Sequence, residues 1–236
     1  LYYACGGGLG HVTRTLAFIR VLQRHIPGEH RLLYNSPFAQ TVQPEIERLG
    51  ITAALLPALA TRHDAQEFVA DHVTRFSPEL WVVDTFPRGL GGELVPLFAR
   101  SPAIPKVLIS RTLPTAYVSQ FDVAAFVRQH YQLVIVPGEA SPFSSLPTVC
   151  ETGPFLIRDI GELPSQEQAE KLLGLEASQK ATLLIGCGTT QECHDVVTQV
   201  LPSMLSRLER GTQLRLALPV EVEIDLKAFA YWDDIV

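Results

Sequence analysis

The residues with the clearest chemical character stand near the start of the sequence, in "YYACGGGLGHVTRTLAFIRVL", residues 2–22. A short apolar run leads into a loop that is nearly all glycine, and His11 follows that loop directly. Glycine lets backbone approach a ligand closely, and the unpaired N–H groups of a helix N-terminus attract anions. We therefore predict a strand, a ligand-contacting turn that includes Gly8 and Gly10, and a helix, with an imidazole at the exit of the turn.

Two common nucleotide-binding motifs fail on this loop. The Walker pattern needs Lys and then Ser or Thr after its last glycine, whereas Gly10 is followed by His11. The dinucleotide fingerprint could begin at Gly6 and Gly8, but it would require glycine where His11 stands. An ordinary tight turn is the alternative to a ligand-binding loop, and the imidazole is the feature that argues against it.

Composition sets the class of protein. Of 236 residues, 47% are hydrophobic, which is ample for a packed core, and the formal net charge of −6 with scattered Lys and Arg disfavours a nucleic-acid partner. No apolar run reaches the roughly 18 residues of a membrane span, although a peripheral membrane contact stays compatible with the sequence. We expect a cytoplasmic, reduced protein, because four cysteines show neither zinc spacing nor a disulfide framework: Cys5, Cys150, Cys187 and Cys193.

Two pairs of residues have side chains that bind metals elsewhere, namely His63-Asp64 and Asp71-His72. They lie eight residues apart on a predicted helix and lack a third ligand, so solvated helix faces are the preferred interpretation. We expect neither a metal site nor a cofactor.

The elements that would position the glycine loop alternate between strand and helix. Continuous apolar strands between amphipathic helices are typical of parallel strands covered on both faces, so we predict a doubly wound α/β domain. The predicted strands are 2–5, 31–36, 51–57, 78–87, 104–112 and 131–138. The predicted helices begin at Val12 and then cover 37–50 with a break at Pro44, 64–76, 91–100 and 118–130.

The pattern changes after this domain. A polar connector leads to a second apolar run, "KATLLIGCGTTQE", that again ends in glycines, and Thr189 with Glu192 has the spacing of a capping box. A further strand is predicted at 213–219. A Rossmann-like half needs about 100 residues, and fewer than that follow Lys180, so we expect the sequence to be part of a longer protein.

Together, "GGGLGHVTR", "TGPFL" and "LLIGCGTTQE" resemble GT-B glycosyltransferases, in the group with MurG-like and UDP-glucuronosyltransferase-like enzymes and a G-x-G-H-x-x-R loop. The resemblance implies two Rossmann-like parallel-sheet domains that face a cleft. It makes residues 1–158 the acceptor-side domain, 159–179 a connector and 180–236 an incomplete nucleotide-sugar-binding domain.

The resemblance also implies roles for individual residues. In inverting members a His on the first glycine loop removes the proton of the acceptor hydroxyl, and an Asp at a later strand end orients it. The matching positions are His11 and Asp84, while Arg14 is expected to support the loop. Packing of His11 and an Asx turn at Asp84 are the alternatives.

Further contacts are predicted at strand ends. Ser110 and Arg111 stand at the end of the strand predicted over 104–112, where Arg111 would meet an anionic acceptor or phosphate, or else form a surface ion pair. The donor diphosphate would bind the turn of the second domain, for which an ordinary strand–helix turn is an equal alternative. The residues predicted to contact the diphosphate there are Gly186, Gly188, Thr189 and Thr190.

The predicted function is transfer of a sugar from a nucleotide diphosphate sugar to an unknown acceptor hydroxyl, with a His base and inversion. Two alternatives stay open. One is a nucleotide-sugar hydrolase or 2-epimerase of the same fold, which needs donor binding but no acceptor pocket. The other is a sugar-binding regulatory domain without catalysis.

Overall fold

The computed structural model describes residues 1–57, 60–138, 140–172, 174, 180–186, 195–200, 203, 204, 207 and 212–217. The chain divides into two compact units, Leu1–Asp159 and Ile160–Val236. The predicted connector at 159–179 and the ligand assigned to each part stay predictions.

The first unit is built on a seven-stranded sheet in the order β3-β2-β1-β4-β5-β6-β7, and every neighbouring pair is parallel. The predicted α/β class is therefore confirmed. Its strands are short and mostly buried because helices cover both faces of the sheet. The strands are β1 Tyr2–Ala4, β2 Arg31–Tyr34, β3 Thr52–Leu55, β4 Trp81–Asp84, β5 Lys106–Ile109, β6 Leu133–Pro137 and β7 Val149–Thr152.

Two hydrophobic clusters lie on opposite faces of this sheet. Alternate residues of β1 divide between them: Tyr2 joins the cluster that contains Leu16 of α1, whereas Tyr3 joins the cluster that contains Val69 of α3. The helices are α1 Leu9–Gln23, α2 Ala39–Leu49, α3 Arg62–Phe76, α4 Val95–Arg100, α5 Thr115–Gln120 and α6 Val123–His130. Among the described helices, none combines the length and apolarity that a membrane span requires.

Several predicted boundaries are wrong. The first helix starts at Leu9, so Gly10 belongs to its first turn and not to the preceding loop. Pro44 does not break α2, because Val42 and Ile46 around it are both buried and this packing offsets the hydrogen bond that proline lacks. The predicted helix over 118–130 is two helices, since Asp122 caps the second one by accepting from the Ala125 N–H at 3.1 Å.

The sequence patterns predict no strand between 138 and 159. The structure has one there, the edge strand β7, which pairs with β6 from Val134↔Val149 to Pro137↔Thr152. The chain then runs back toward α1, where Phe155 contacts Phe18 with ring centroids 5.3 Å apart. Arg20 of α1 donates to the Ile157 carbonyl and to Asp159 at 3.0 and 2.8 Å.

In the second unit, β8 (Lys180–Gly186) and β9 (Thr212–Ala217) form a separate parallel pair. A second sheet beginning near Lys180 is what the repeated strand–glycine–helix pattern predicts. The unit also contains a 3₁₀ turn at Ile160–Glu162, helix α7 at Gln166–Leu172 and a π-helical segment at Val196–Val200.

Candidate active site

The strand order places the candidate site at the centre of the first sheet. β1 lies between β2 and β4, so the chain winds in one direction from β1 to β3 and in the other direction from β4 onward. Open α/β sheets bind ligands at this switch point, beyond the carboxyl ends of the strands. Helix α1, which follows β1, carries His11 in its first turn, and β4 ends at Asp84. The topology therefore brings together two residues that are 73 positions apart.

His11 and Asp84 are hydrogen-bonded. The distance from His11 Nδ1 to Asp84 Oδ2 is 2.6 Å, and the His11 side chain keeps 14% of its surface exposed whereas Asp84 is fully buried. No described residue hydrogen-bonds the second ring nitrogen, Nε2. His11 therefore faces the sheet edge and is not closed into the core.

Arg14, one turn further along α1, contacts the same carboxylate. Its Nε donates to Asp84 Oδ1 at 2.7 Å and its Nη2 donates to Oδ2 at 2.8 Å, which is a bidentate ion pair. Arg14 was expected to support the glycine loop. It instead holds the aspartate that orients His11, so helix α1 supplies two of the three members of the cluster.

The charge state of this cluster follows from its surroundings. Burial by itself would raise the pKa of Asp84, but hydrogen bonds from His11 and Arg14 and the guanidinium charge outweigh it, so the pKa lies below its ordinary value. Asp84 is therefore a carboxylate at neutral pH. Since a carboxylate can only accept, the His11 proton sits on Nδ1 and Nε2 is free to take a proton from a ligand.

Thr85 completes the partners of Asp84. Its hydroxyl donates to Asp84 Oδ2 at 2.9 Å and accepts from Arg14 Nη2 at 3.1 Å. Thr85 also has a positive φ of 64°, which is an outlier for a β-branched residue. Backbone strain of this kind persists where surrounding contacts fix it, and here the Thr85 N–H donates to the Ile109 carbonyl at 2.8 Å.

The loop that follows Thr85 packs against the imidazole. Phe86 lies 5.6 Å from His11 between ring centroids and 5.3 Å from Tyr117. Buried Glu93 holds this loop, since its carboxylate accepts from the Leu90 and Gly91 N–H groups at 3.0 and 2.8 Å and from the Tyr3 hydroxyl. The wall of the site beside His11 is therefore anchored to β1 itself.

The first glycines of the loop are held by the protein itself, and the predicted ligand contacts of Gly8 and Gly10 stay predictions. Gly6 lies under the His11 ring, Gly7 has a φ of 76°, and Gly8 is the N-cap of α1 with no side-chain cap. The N–H groups of Gly6 and Gly7 donate to Asn35 Oδ1 at 2.8 and 2.9 Å. These two donors are therefore occupied by the protein.

A cavity of about 390 Å³ adjoins the N-terminal turns of α1. Gly10, Thr13 and Arg14 form one wall, and apolar residues at the end of β6 and after β7 form the other. These are Pro137, Pro154, Phe155, Leu156 and Ile157. Since Arg14 also contacts Asp84, the cavity lies next to the His11 cluster.

The remaining predicted residues follow β5, belong to the second unit or lie outside the described residues. Ser110 is buried and its Oγ lies 2.7 Å from Ser141 Oγ, so its hydroxyl has a protein partner. Arg111 follows it and is half-buried. Gly186 ends β8 in the second unit, whereas Gly188, Thr189 and Thr190 lie outside the described residues.

The sequence interpretation missed Asn35, Thr85 and Glu93. Asn35 and Thr85 each follow a strand directly. Correct strand ends would therefore have been enough to place both residues at the ligand-binding edge of the sheet. Glu93 gave no such signal, because its role depends on a long-range contact with Tyr3. Among the described residues, no group of three or more His, Cys, Asp or Glu could hold a metal ion.

Comparison with known proteins bears on the fold. No protein-family model matches the chain, and no curated protein matches it significantly. Solved structures do match the chain. The chain is similar to UDP-GlcNAc 2-epimerase from Neisseria meningitidis bound to UDP-GlcNAc, with 13% sequence identity and a TM-score of 0.65. The match covers 99% of this chain and 71% of that one.

Two further structures are similar. The S. aureus MnaA complex with UDP has 12% identity and a TM-score of 0.60, over 99% of this chain and 67% of that one. UDP-N-acetylglucosamine 2-epimerase from Rickettsia bellii has 11% identity and a TM-score of 0.55, and the match covers 99% of this chain and 66% of that one. At these identities the likeness shows the Rossmann-like α/β fold of GT-B type.

Proposed function

We propose that the protein is an enzyme acting on a nucleotide diphosphate sugar and that its reaction is a 2-epimerisation. The observation that carries the proposal is the pairing of His11 Nδ1 with the buried Asp84 carboxylate, which leaves Nε2 as a proton acceptor at the switch point of the sheet. Support for the substrate class comes from the fold shared with UDP-GlcNAc 2-epimerases.

The chemistry of epimerisation suits this arrangement. Epimerisation at C2 requires a base that removes the C2 proton and an acid that returns one to the opposite face. The electron pair of the C2–H bond forms a C1–C2 double bond as the diphosphate leaves C1, and the diphosphate adds back to C1 when the proton returns. An imidazole has an unperturbed pKa of about 6.5, so it can serve in either role near neutral pH. The Asp84 carboxylate would stabilise the imidazolium that forms, and Arg14 would keep that carboxylate ionised and in place.

The donor diphosphate is proposed to bind Gly186, which ends β8, and residues that follow it in the sequence, namely Gly188, Thr189 and Thr190. This part of the proposal rests on the sequence, because glycines stand there before Thr189 and Glu192, which have the spacing of a capping box, and helix N-termini attract anions.

Sugar transfer is the second candidate, and one observation favours it. The cavity of about 390 Å³ beside Arg14 has one apolar wall and offers space for a second substrate, which an epimerase does not need. In that reaction Nε2 of His11 would take the proton of the acceptor hydroxyl as the sugar leaves the diphosphate. Hydrolysis would use the same nitrogen to activate water.

Product analysis tests these reactions against one another. The full-length protein is incubated with UDP-GlcNAc in D₂O without any acceptor, and the sugar is followed by ¹H NMR. Epimerisation gives the C2 epimer with deuterium at that carbon, whereas hydrolysis gives free sugar and UDP. An unchanged donor that reacts only when an acceptor alcohol is added favours transfer. Failure to bind any nucleotide sugar would refute all three and favour a non-catalytic domain.

A further inference from the structure

Asn35 stands at the carboxyl end of β2, beside the strand that leads to His11. Its Oδ1 accepts from two backbone donors, the N–H of Gly6 at 2.8 Å and the N–H of Gly7 at 2.9 Å. Only the oxygen of an amide can accept two such hydrogen bonds. The orientation of the side chain is thereby fixed, with Oδ1 on the loop and Nδ2 directed away from it.

The Nδ2 group has no hydrogen-bond partner among the described residues, and Asn35 is only half-buried. It therefore presents two N–H donors at the ligand edge of the sheet. Gly6 links these donors to the candidate base, because Gly6 contacts Asn35 through its N–H and lies under the His11 ring on its Cα side. A ligand group that reaches His11 Nε2 consequently lies close to Asn35.

We infer that Asn35 is a substrate-contacting residue, whose Nδ2 donates a hydrogen bond to a hydroxyl oxygen of the sugar on which His11 acts. This inference rests on the proposed function and adds a specific donor to it. A sugar hydroxyl is a better partner for Asn35 than a phosphoryl group, because of the hydrogen bonds that the loop already makes. Asn35 already occupies the N–H groups of Gly6 and Gly7, so the loop lacks the array of free backbone donors that cradles phosphate.

The first test observes the amide directly. Asn35 is the only asparagine in the 236-residue sequence, so labelling with [¹⁵N]asparagine gives few side-chain NH₂ signals, and the pair that disappears in an Asn35→Asp variant belongs to Asn35. We expect both Nδ2 protons to shift when UDP-GlcNAc is added and to move little with UDP alone. A shift of equal size with UDP would assign the contact to the phosphoryl groups and overturn the inference.

The second test separates ligand contact from structural support. Asn35→Asp keeps Oδ1 as an acceptor for both glycine N–H groups but removes the Nδ2 donor, whereas Asn35→Ala removes both. We expect Asn35→Asp to lower kcat/KM for UDP-GlcNAc by about tenfold or more, with the thermal midpoint retained. A purely structural Asn35 would give the opposite pattern, with full activity in Asn35→Asp and lost stability in Asn35→Ala.

A matched control exists at the opposite end of the strands, where β5 and β6 begin. Gln132 Oε1 accepts the Lys106 N–H at 2.7 Å, so Gln132→Glu makes the same amide-to-carboxylate change away from the site and should leave kcat/KM unchanged. If the wild-type protein converts UDP-GlcNAc while the Asn35 resonances and the Asn35→Asp kinetics stay unchanged, this inference alone fails. If the wild-type protein neither binds nor converts any nucleotide sugar, the proposed function fails and this inference fails with it.

Discussion

The imidazole of His11 lies over the Cα of Gly6, in the space that a side chain at position 6 would occupy. A Cβ there would overlap three ring atoms of His11, whereas a Cβ at Gly10 would meet no atom within 4 Å. The glycines of the loop are therefore not equivalent. Gly6 makes room for the imidazole and Gly7 supplies a positive φ, so the loop is shaped by the residue it positions.

Gly6→Ala should displace the His11 ring and break its contact with Asp84. We expect turnover to fall about as far as it does when His11 itself is removed, roughly a hundredfold or more. The measurement is the initial rate with UDP-GlcNAc, together with the His11 imidazole resonances in NMR spectra. Gly28→Ala is the matched control, because a Cβ at Gly28 meets nothing within 4 Å and its φ is not positive. A Gly6→Ala protein with wild-type turnover would contradict the proposed position of His11.

His11→Ala should lower turnover by roughly a hundredfold or more while donor affinity stays nearly intact. The physical reason is that Nε2 accepts a proton in the reaction but does not bind the nucleotide, which is proposed to contact Gly186 and the residues that follow it in the sequence. Steady-state rates and calorimetric affinity for UDP-GlcNAc give the two quantities separately. A variant that retained the wild-type rate would rule out His11 as the base.

Asp84→Asn should lower activity and should also weaken the dependence of the free energy of unfolding on acidic pH. The pKa of Asp84 is lower in the folded protein than the value of about 3.9 expected for the unfolded chain. Its contribution to the free energy of unfolding is therefore complete above that pH and is lost as pH falls through the folded value. The urea midpoint of the wild type, followed downward from pH 6, should fall more steeply than that of Asp84→Asn, which keeps only the acid dependence of other carboxylates such as Glu45 and Asp159.

The same substitution leaves the Arg14 guanidinium without its anionic partner. Removing one member of a buried pair costs on the order of 3 kcal/mol, so Asp84→Asn should be clearly destabilised at neutral pH. Asp71→Asn is the control, since Asp71 forms an exposed pair with Arg75 on α3 at 2.8 Å and should change stability by only a few tenths of a kcal/mol. Equal effects of both variants would argue against the buried ion pair.

Two substitutions at Thr85 measure what its hydroxyl contributes to stability and activity. Thr85→Ser keeps the hydroxyl that contacts Asp84 and Arg14, and should leave activity close to wild type. Thr85→Val keeps the shape and the β-branch but removes the hydroxyl, which should cost about 1–3 kcal/mol of stability and lower activity. Chemical denaturation and initial rates measure both effects. Wild-type behaviour of Thr85→Val would show that the hydroxyl is dispensable.

Much of the fold could be predicted from local sequence patterns. Apolar runs such as 81–84 and 106–109 alternate with helical periodicity, and both the parallel sheet and the second sheet from Lys180 follow from that alternation. Element ends were less predictable. Pro44 sits inside α2 because buried neighbours hold the helix together, and propensity alone does not contain that packing energy.

The candidate site was predictable in part for the same reason. Parallel strands end at one edge, so the residues after β1 and β4 had to share an edge once the α/β alternation was recognised. That argument places His11 and Asp84 near each other, but it does not give the partner of each ring nitrogen. It also says nothing of Asn35, whose contact with Gly6 depends on the pairing of β2 with β1.

The sequence by itself determined the residue types, their order along the chain and the edge of the sheet to which each strand delivers them, because periodicity and glycine chemistry are local properties. Only the tertiary structure decided that Arg14 would bind Asp84, that Thr85 would be strained, and that Glu93 would reach Tyr3. These contacts join residues on different elements, and their energies depend on burial and on distances of about 3 Å, at the ordinary hydrogen-bond length. Such distances are set by the packing of both faces of the sheet, which no local pattern specifies.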